Sequence, residues 1–430
     1  MTAAPAPTPS SARSSALGLR ARLALGAGRF VAWASRLVHF GTGSVIGGRV
    51  SLLIDSSLLA KLTANRDVAI VSATNGKTTT TKLLSTALSA ERPVVSNWLG
   101  ANMTPGIVAA LAASPANETA VLEVDERWVD SVLRDTNANT VVLLNLSRDQ
   151  LDRTQEVRKL AERWRQALTA TPPRTVIANA DDPLVTWAAL AAPKVVWIAT
   201  GQEWTADAAG CPACSGRIDF TDSDWSCSSC DLRRPAIDVS VSNETITIDD
   251  REFRSPLALP GRVNRVNAAF ALAASSEMGV SLTAAFDALD DITEVAGRYR
   301  VADINGTKIR LLLAKNPAGW HEALELLEGP TTPLVIAINA RIADGHDPSW
   351  LWDVDYERVG SRLVIAIGER RHDLAVRFRY GNINHAVAEN LDAALELVRA
   401  SAEFDPTVPV DVASNYTAFQ DHLQRVGGVL

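Results

Sequence analysis

Nine residues, Ser72-Ala-Thr-Asn-Gly-Lys-Thr-Thr-Thr80, set a glycine and a lysine among hydroxyl side chains in an order that can grip phosphate. In such a loop the backbone N–H groups and the start of the next helix hold the anionic oxygens. Lys77 would reach the outer phosphates, and the Thr78 hydroxyl would ligate Mg²⁺. The general pattern G-x-x-x-x-G-K-[ST] fails at its first glycine, where Val71 stands. A second element of the same chemistry is Val121-Leu-Glu-Val-Asp-Glu126, whose Glu123 is placed as a strand-end carboxylate for the same cation. The alternative for Glu123 is an ordinary solvated strand end.

The four cysteines fall in two pairs, Cys211-Pro-Ala-Cys214 and Cys227-Ser-Ser-Cys230, with twelve residues between the pairs. Two such knuckles can present four thiolates tetrahedrally to Zn²⁺, a structural site with no open coordination position. Disulfides are the alternative, but nothing else in the chain suggests secretion. If all four thiols hold zinc, none is left as a nucleophile. Deamidation of glutamine commonly uses a Cys–His pair. A chain with six histidines and no spare cysteine would therefore need a separate glutaminase subunit if its nitrogen comes from glutamine.

Around these residues the pattern alternates. Val68-Ala-Ile-Val71 reads as a buried strand, Lys82–Leu88 as a helix, and Val121–Glu126 and Thr140–Asn145 as further strands. That alternation predicts a parallel sheet with helices on both faces. Composition agrees with a globular chain of two or three domains: 430 residues, 47% hydrophobic and 21% charged. A net charge of −7 argues against a protein that coats nucleic acid. No apolar run reaches the ~18 residues of a membrane span.

The charge is uneven. No acidic residue precedes Asp55, whereas Arg13, Arg20, Arg22, Arg29, Arg36 and Arg49 do. Residues 2–15 read as a tail, and Ala16–Phe40 as a helix with Arg22, Arg29 and Arg36 on one face and Leu23, Phe30, Trp33 and Leu37 on another. This helix is either docked on the body with a solvated arginine stripe or held by its basic face against anionic lipid headgroups.

Several segments together resemble the Mur ligase family. Thr74-Asn-Gly-Lys-Thr78 is similar to its T-N-G-K-[ST] loop, and Asn145-Leu-Ser-Arg-Asp-Gln-Leu-Asp152 to its N-x-x-x-D-H-L-D segment. Gly261-Arg-Val-Asn-Arg-Val-Asn-Ala-Ala269 is similar to G-x-x-N-x-x-N-x-x-A, and Gly297-Arg298 to the start of the C-terminal domain. The resemblance implies an ATP-dependent ligase. Thr74, Asn75, Gly76, Lys77, Thr78 and Thr79 would cradle the phosphates, Asn267 would contact adenine, Arg298 would reach the phosphates after domain closure, and Thr78 and Glu123 would hold Mg²⁺. Departures narrow the assignment. Gln150 replaces a histidine near the metal, and the family's carbamylated lysine has no clear counterpart in the next helix, which offers Lys159 and Arg165. Leu312 replaces a ribose-binding aspartate, and the N-terminal UDP-binding domain is missing.

With the four-cysteine ribbon, Asn97–Met103, Lys315-Asn-Pro-Ala-Gly-Trp320 and Asp344-Gly-His-Asp-Pro-Ser-Trp-Leu-Trp-Asp353, those departures resemble the MurT family of synthetase subunits. Membership implies amidation of the D-glutamate α-carboxyl of lipid II through an acyl phosphate, with ammonia from a GatD-like glutaminase, in the cytoplasm or at the inner face of the membrane. Asn316 would meet the nucleotide or the acyl phosphate. An aspartate of the C-terminal domain would complete the partner's triad, Asp347 ahead of Asp344 and Asp353, with Trp350 and Trp352 as interface anchors; the alternative is a helix N-cap with core tryptophans. The expected architecture is a tail and basic helix over 1–45, a central parallel-sheet ATPase domain over 46–296 with a zinc-ribbon insertion at 205–235, and a Rossmann-like α/β domain over 297–430. Two rivals share some of these features: a folylpolyglutamate-type ligase that adds an amino acid, and a zinc-ribbon NTPase acting on nucleic acid.

Overall fold

The computed structural model describes residues 17–37, 44–97, 101–116, 118–148, 157–242, 245–248, 251–254, 261–290, 292, 299–329 and 331–427. Gln150 and Arg298 lie outside these residues, as do Trp98, Leu99 and Gly100.

The first sheet is built from β1 (Val68–Ser72), β2 (Val94–Ser96), β3 (Thr119–Glu123), β4 (Thr140–Leu143), β5 (Thr175–Asn179) and β6 (Val195–Ala199). The chain then forms a separate hairpin, β7 (Ile218–Phe220) and β8 (Trp225–Cys227), before returning as β9 (Val239–Val241), β10 (Thr245–Ile248) and β11 (Arg251–Arg254). The nine strands lie in the order β11-β10-β9-β6-β5-β4-β1-β3-β2. All pairings from β2 through β9 are parallel, and β10 and β11 close one edge antiparallel.

Alternation along β1 explains the two-sided burial. Val68 and Ile70 join a core with Leu58, Ile107 and Trp164. Ala69 and Val71 join another with Leu83, Leu84 and Phe270. A strand buried on both faces can be apolar at every position, which is why Val-Ala-Ile-Val reads as an unbroken run.

The second sheet comprises β12 (Tyr299–Ile304), β13 (Thr307–Leu313), β14 (Leu334–Ala337), β15 (Val364–Ile367), β16 (His385–Val387) and β17 (Val410–Ser414), ordered β12-β13-β17-β14-β15-β16. Only the β12–β13 edge is antiparallel. Leu334 and Ile336 face Trp320, Trp350, Tyr356 and Phe378, while Val335 and Ala337 face Leu391, Leu395 and Phe419. The fold is thus α/β, with a central parallel sheet, a four-cysteine hairpin insertion and a Rossmann-like second sheet. Among the described residues no helix is long and apolar enough to cross a membrane.

The N-terminal helix Leu19–Leu37 docks on the body with Arg22, Arg29 and Arg36 exposed, and it docks by its small residues. It buries Ala21, Ala24, Gly28 and Ser35, whereas Leu23, Phe30, Trp33 and Leu37 are exposed. The neighbouring helix Ser44–Ile54 approaches so closely at Gly28 and Gly47 that only small residues fit: a Cβ on Gly47 would meet the Gly28 carbonyl oxygen at 2.6 Å.

Candidate active site

β1 ends at Ser72, between β3 and β4, where the strand order reverses; such switch points form the crevices of open α/β sheets. The loop that follows opens the helix Lys77–Ser89 through Gly76, at φ +86°. That left-handed turn is easy for glycine, and a Cβ there would also meet Asn267 Oδ1 at 2.8 Å. The helix begins five residues earlier than sequence periodicity indicated, because the glycine turn lets Lys77 itself be helical.

The loop is held by side chains of the segment after β4. Asn145 Oδ1 accepts from the Asn75 N–H at 2.9 Å, and Asn145 Nδ2 donates to the Asn75 carbonyl at 3.0 Å. The Thr74 hydroxyl donates to the Ser147 carbonyl at 3.1 Å and accepts from the Ser147 N–H at 3.0 Å. Asn75 Nδ2 also donates at 3.1 Å to Asn316 Oδ1, which lies 241 residues away. Asn316 caps the helix Pro317–Glu325 by accepting from the Gly319 N–H at 2.9 Å. Two site residues expected from separate segments therefore touch. Asn267 joins them, accepting from the Thr80 hydroxyl at 3.1 Å.

Charge is concentrated at the same point. Lys77 is buried, its ammonium donating to the carbonyls of Ala73 and Thr74 and lying 3.0 Å from Glu126 Oε2. Trp164 Nε1 donates to the Glu126 carbonyl at 2.9 Å. Glu123 is 2% exposed, with Oε1 accepting from Asn102 at 3.3 Å and Oε2 buried without a hydrogen-bond partner. A buried carboxylate oxygen with no donor is costly unless a cation or donor meets it. A strand-end carboxylate in register with Val71 and a half-buried Thr78 hydroxyl at the start of the phosphate-loop helix are the kind of oxygen donors Mg²⁺ takes.

Sequence reasoning missed Glu126 as the partner of Lys77 and Asn145 as the brace of the loop. The carboxylate three residues beyond Glu123 was the available signal for Glu126.

A cleft of about 680 Å³ opens beside the loop, lined by Gly76, Asn145, Asn179, Arg262, Asn267 and His321 among others. On its far wall His321 Nε2 lies 2.9 Å from Glu203, with Arg358 2.8 Å from the same nitrogen. A second hollow of about 780 Å³ shares Asn75, Gly76 and Asn267 and is bounded by Leu312 of β13 and Lys315 of the loop that follows it. Leu312 is buried there, as an apolar wall where an aspartate would offer a carboxylate.

The four cysteine sulfurs lie within 4.8 Å of one another. The Cys211–Cys230 and Cys214–Cys227 pairs are 3.7 and 3.5 Å apart. Four sulfurs about 2.3 Å from Zn²⁺ would be roughly 3.8 Å apart, so the cluster fits the metal. Backbone N–H groups of Gly216 and Ser229 point at Cys214 Sγ and Cys227 Sγ, at 3.4 and 3.3 Å.

The three aspartates of the Trp-rich segment differ. Asp344 is buried, accepting from the Thr417 backbone and hydroxyl and from the Arg341 N–H. Asp353 lies 3.4 Å from Arg148. Asp347 is exposed, and its carboxylate accepts from the Ser349 N–H at 2.9 Å, which lowers its pKa below the ordinary aspartate value. Trp352 is 54% exposed, but Trp350 is 5% exposed and stacks on Trp320. Trp350 is therefore a core residue and not the surface anchor its sequence context suggested.

Comparison with known proteins agrees with this geometry. Residues 71–275 match the family described as Mur ligase middle domain, and residues 313–419 match MurT ligase C-terminal. A Streptococcus pneumoniae protein named lipid II isoglutaminyl synthase (glutamine-hydrolyzing) subunit MurT is 29% identical, over 84% of this chain and 87% of its own length. A Staphylococcus aureus protein of the same name is 27% identical, over 89% and 93%. Among solved structures, a pseudomurein peptide ligase type C from Methanothermus fervidus superposes with a TM-score of 0.65 at 18% identity, covering 86% of this chain and 81% of that one. MurF from Acinetobacter baumannii gives 0.63 at 15%, covering 88% and 79%. These two show the fold alone. By its middle domain, its C-terminal region and its relatives, the chain belongs to the MurT group of the Mur ligase family.

Proposed function

We propose that the chain is the ATP-dependent synthetase subunit of a two-subunit amidotransferase, which converts the D-glutamate α-carboxyl of lipid II to the amide of D-isoglutamine. The observation that supports the reading is that the Asn75–Asn316 bond and Asn267 share one crevice beside the loop whose Lys77 pairs with Glu126, at the end of β1 where Glu123 lies in register with Val71. The names of the relatives supply the substrate class. The domain division at 45/46 and 296/297 belongs to the same proposal.

A carboxylate resists ammonia because its carbon is weakly electrophilic and oxide is a poor leaving group. In the proposed reaction a carboxylate oxygen attacks the γ-phosphorus of ATP and ADP departs, leaving an acyl phosphate. Ammonia then attacks the acyl carbon, phosphate leaves, and the nitrogen loses a proton. The protein's contribution is positioning and neutralisation of charge. The loop Thr74–Thr79 with Lys77 would grip the phosphates, Thr78 and Glu123 would hold Mg²⁺, and Asn267 would meet adenine. Asn316 would orient the reacting end, and Arg298, outside the described residues, is assigned to the phosphates by the family motif alone. Glu126 keeps Lys77 in the crevice. Zn²⁺ held by Cys211, Cys214, Cys227 and Cys230 would stiffen the inserted hairpin and leave no thiol for deamidation. Ammonia would thus come from a GatD-like glutaminase, and Asp347, exposed and ionised, would complete that partner's triad.

The test is mass spectrometry of lipid II incubated with the purified chain, ATP, Mg²⁺ and either ¹⁵N-ammonium or amide-¹⁵N glutamine. The reading expects ¹⁵N incorporation from ammonium alone, and from glutamine only after a glutaminase is added. No ¹⁵N incorporation from ammonium, but growth of the product by a whole residue when unlabelled amino acids are supplied, would establish the amino-acid ligase instead.

A further inference from the structure

The N-terminal helix Leu19–Leu37 presents its large side chains outward. Leu19, Leu23, Phe30, Trp33 and Leu37 follow one another at spacings of four, seven, three and four, a single strip along the helix. Leu23 is 61%, Phe30 65% and Trp33 53% exposed, and the Phe30 and Trp33 rings lie 5.8 Å apart, tilted by 34°.

The helix cannot turn this strip inward. Its opposite side is locked on the helix Ser44–Ile54, where the Ser51 hydroxyl donates to the Ala24 carbonyl at 3.0 Å and a Cβ on Gly28 would meet Ser51 Oγ at 2.0 Å. Arg20 and Arg29 fix the rotation further, donating to the carbonyls of Ile54 and Ala112, each at 2.7 Å. Exposed Arg22 and Arg36 each precede an exposed leucine and flank the strip, and the packed helix adds exposed Ile46, Arg49 and Leu53.

We infer that this face docks on an anionic lipid bilayer, with the apolar strip in the acyl boundary and the arginines among the headgroup phosphates. Charge selects the occupant. Six arginines precede the first acidic residue, Asp55, in a chain whose overall charge is −7. A second copy on the same face would bring two acid-free arginine clusters together, whereas an anionic surface neutralises them. Apolar insertion and a basic cluster are also the two signals that together make peripheral attachment stable.

The test uses the full chain and vesicles that contain no lipid-linked substrate, so its failure would not touch the amidation reading. Flotation with phosphatidylglycerol/phosphatidylcholine vesicles should show binding at least about tenfold tighter than with phosphatidylcholine alone, weakening with salt. The triple variant L23S/F30S/W33S should lose roughly tenfold per residue. R22Q/R36Q should lose on the order of fivefold per arginine on anionic vesicles only. All five positions are exposed, so both variants should fold and keep the wild-type rate on detergent-solubilised lipid II. Absence of wild-type binding, or binding unchanged in both variants, overturns the inference. A wild-type dimer that dissociates in the triple variant would assign the face to a second copy. Weakened association with a glutaminase would assign it to that partner.

Discussion

Two parallel sheets in this molecule end in crevices, yet the crevices differ in what their residues leave unsatisfied. At the end of β1 the backbone turns through Gly76, Lys77 lies between loop carbonyls and Glu126, and Glu123 Oε2 has no donor. At the ends of β14, β15 and β17, a hollow lined by Asn339, Arg341, Glu369, Asp421 and His422 is braced internally. There Arg341 pairs with Glu369 at 2.8 Å and with Asp421 at 2.9 Å, and Asn339 and Asn415 bond reciprocally. Both sites follow from strand order, which places loops together where the order reverses. The residues of the loops then decide whether the site is poised for a charged ligand or neutralised by its own side chains.

The sharpest way to break this comparison is to remove the lysine. Lys77→Ala should lower ATP-dependent amidation roughly 10³-fold or more, and Glu123→Gln on the order of 10²-fold with a weakened Mg²⁺ dependence. Arg341→Ala should leave the ammonia-dependent rate within about twofold, because that crevice is not asked to hold the transferring phosphoryl group. Equal losses at Lys77 and Arg341, measured by ADP release with ammonium as the nitrogen source, would abolish the distinction.

Asp347→Asn separates the two subunits' chemistry. Glutamine-dependent amidation in the presence of the glutaminase should fall on the order of 10³-fold, as expected when an imidazole loses its orienting carboxylate. Ammonia-dependent amidation should not change. Loss of both activities would place Asp347 in the synthetase site instead.

Chelation tests the hairpin. The chain should carry one zinc, measured by elemental analysis, and Cys227→Ser should lower that occupancy and expose the hairpin to proteolysis near residues 205–235. Unchanged zinc content in the variant would place the metal elsewhere.

The smallest effect concerns His422, in the wall of the braced crevice. Burial lowers its pKa from 6.5 to about 4. The unfolded chain therefore takes up a proton between pH 6.5 and 4 that the native state refuses, and stability falls as pH falls through that window. Between pH 7 and pH 5 the loss is about 2 kcal/mol. Asp182 opposes it: burial pushes its pKa up to about 6, so its native carboxyl gains protons, and stability, as pH falls through the same range. The check is therefore the difference in pH slope between wild type and His422→Asn in denaturant titrations; identical slopes would contradict it.

What the sequence disclosed depended on how local the cause was. β1 and the phosphate loop were legible because a strand buried on both faces is apolar throughout and because the glycine–lysine–threonine chemistry lies within nine residues. The cysteine cluster was legible for the same reason, two short knuckles each carrying two ligands. Contacts set by tertiary structure were not. The Lys77–Glu126 pair depends on how far β3 runs, and the Asn75–Asn316 bond joins residues of different sheets. In the N-terminal helix periodicity separated an arginine face from an apolar one but not which side docks, because the close approach to a second helix selects small residues and leaves the large apolar positions outward. Sequence left Trp350 open between an interface anchor and a core residue, and only Trp320 and Tyr356, brought in by the fold, decide for the core.

The central claim is that the carboxylate is activated by phosphoryl transfer at the Lys77 crevice. Its most direct test is to label the acceptor carboxyl of lipid II with ¹⁸O and to measure the inorganic phosphate released during ammonia-dependent turnover. One ¹⁸O in each phosphate, with ADP as the nucleotide product, is the predicted result. Label in AMP with pyrophosphate released, or amide formed with no ¹⁸O in phosphate, would contradict it.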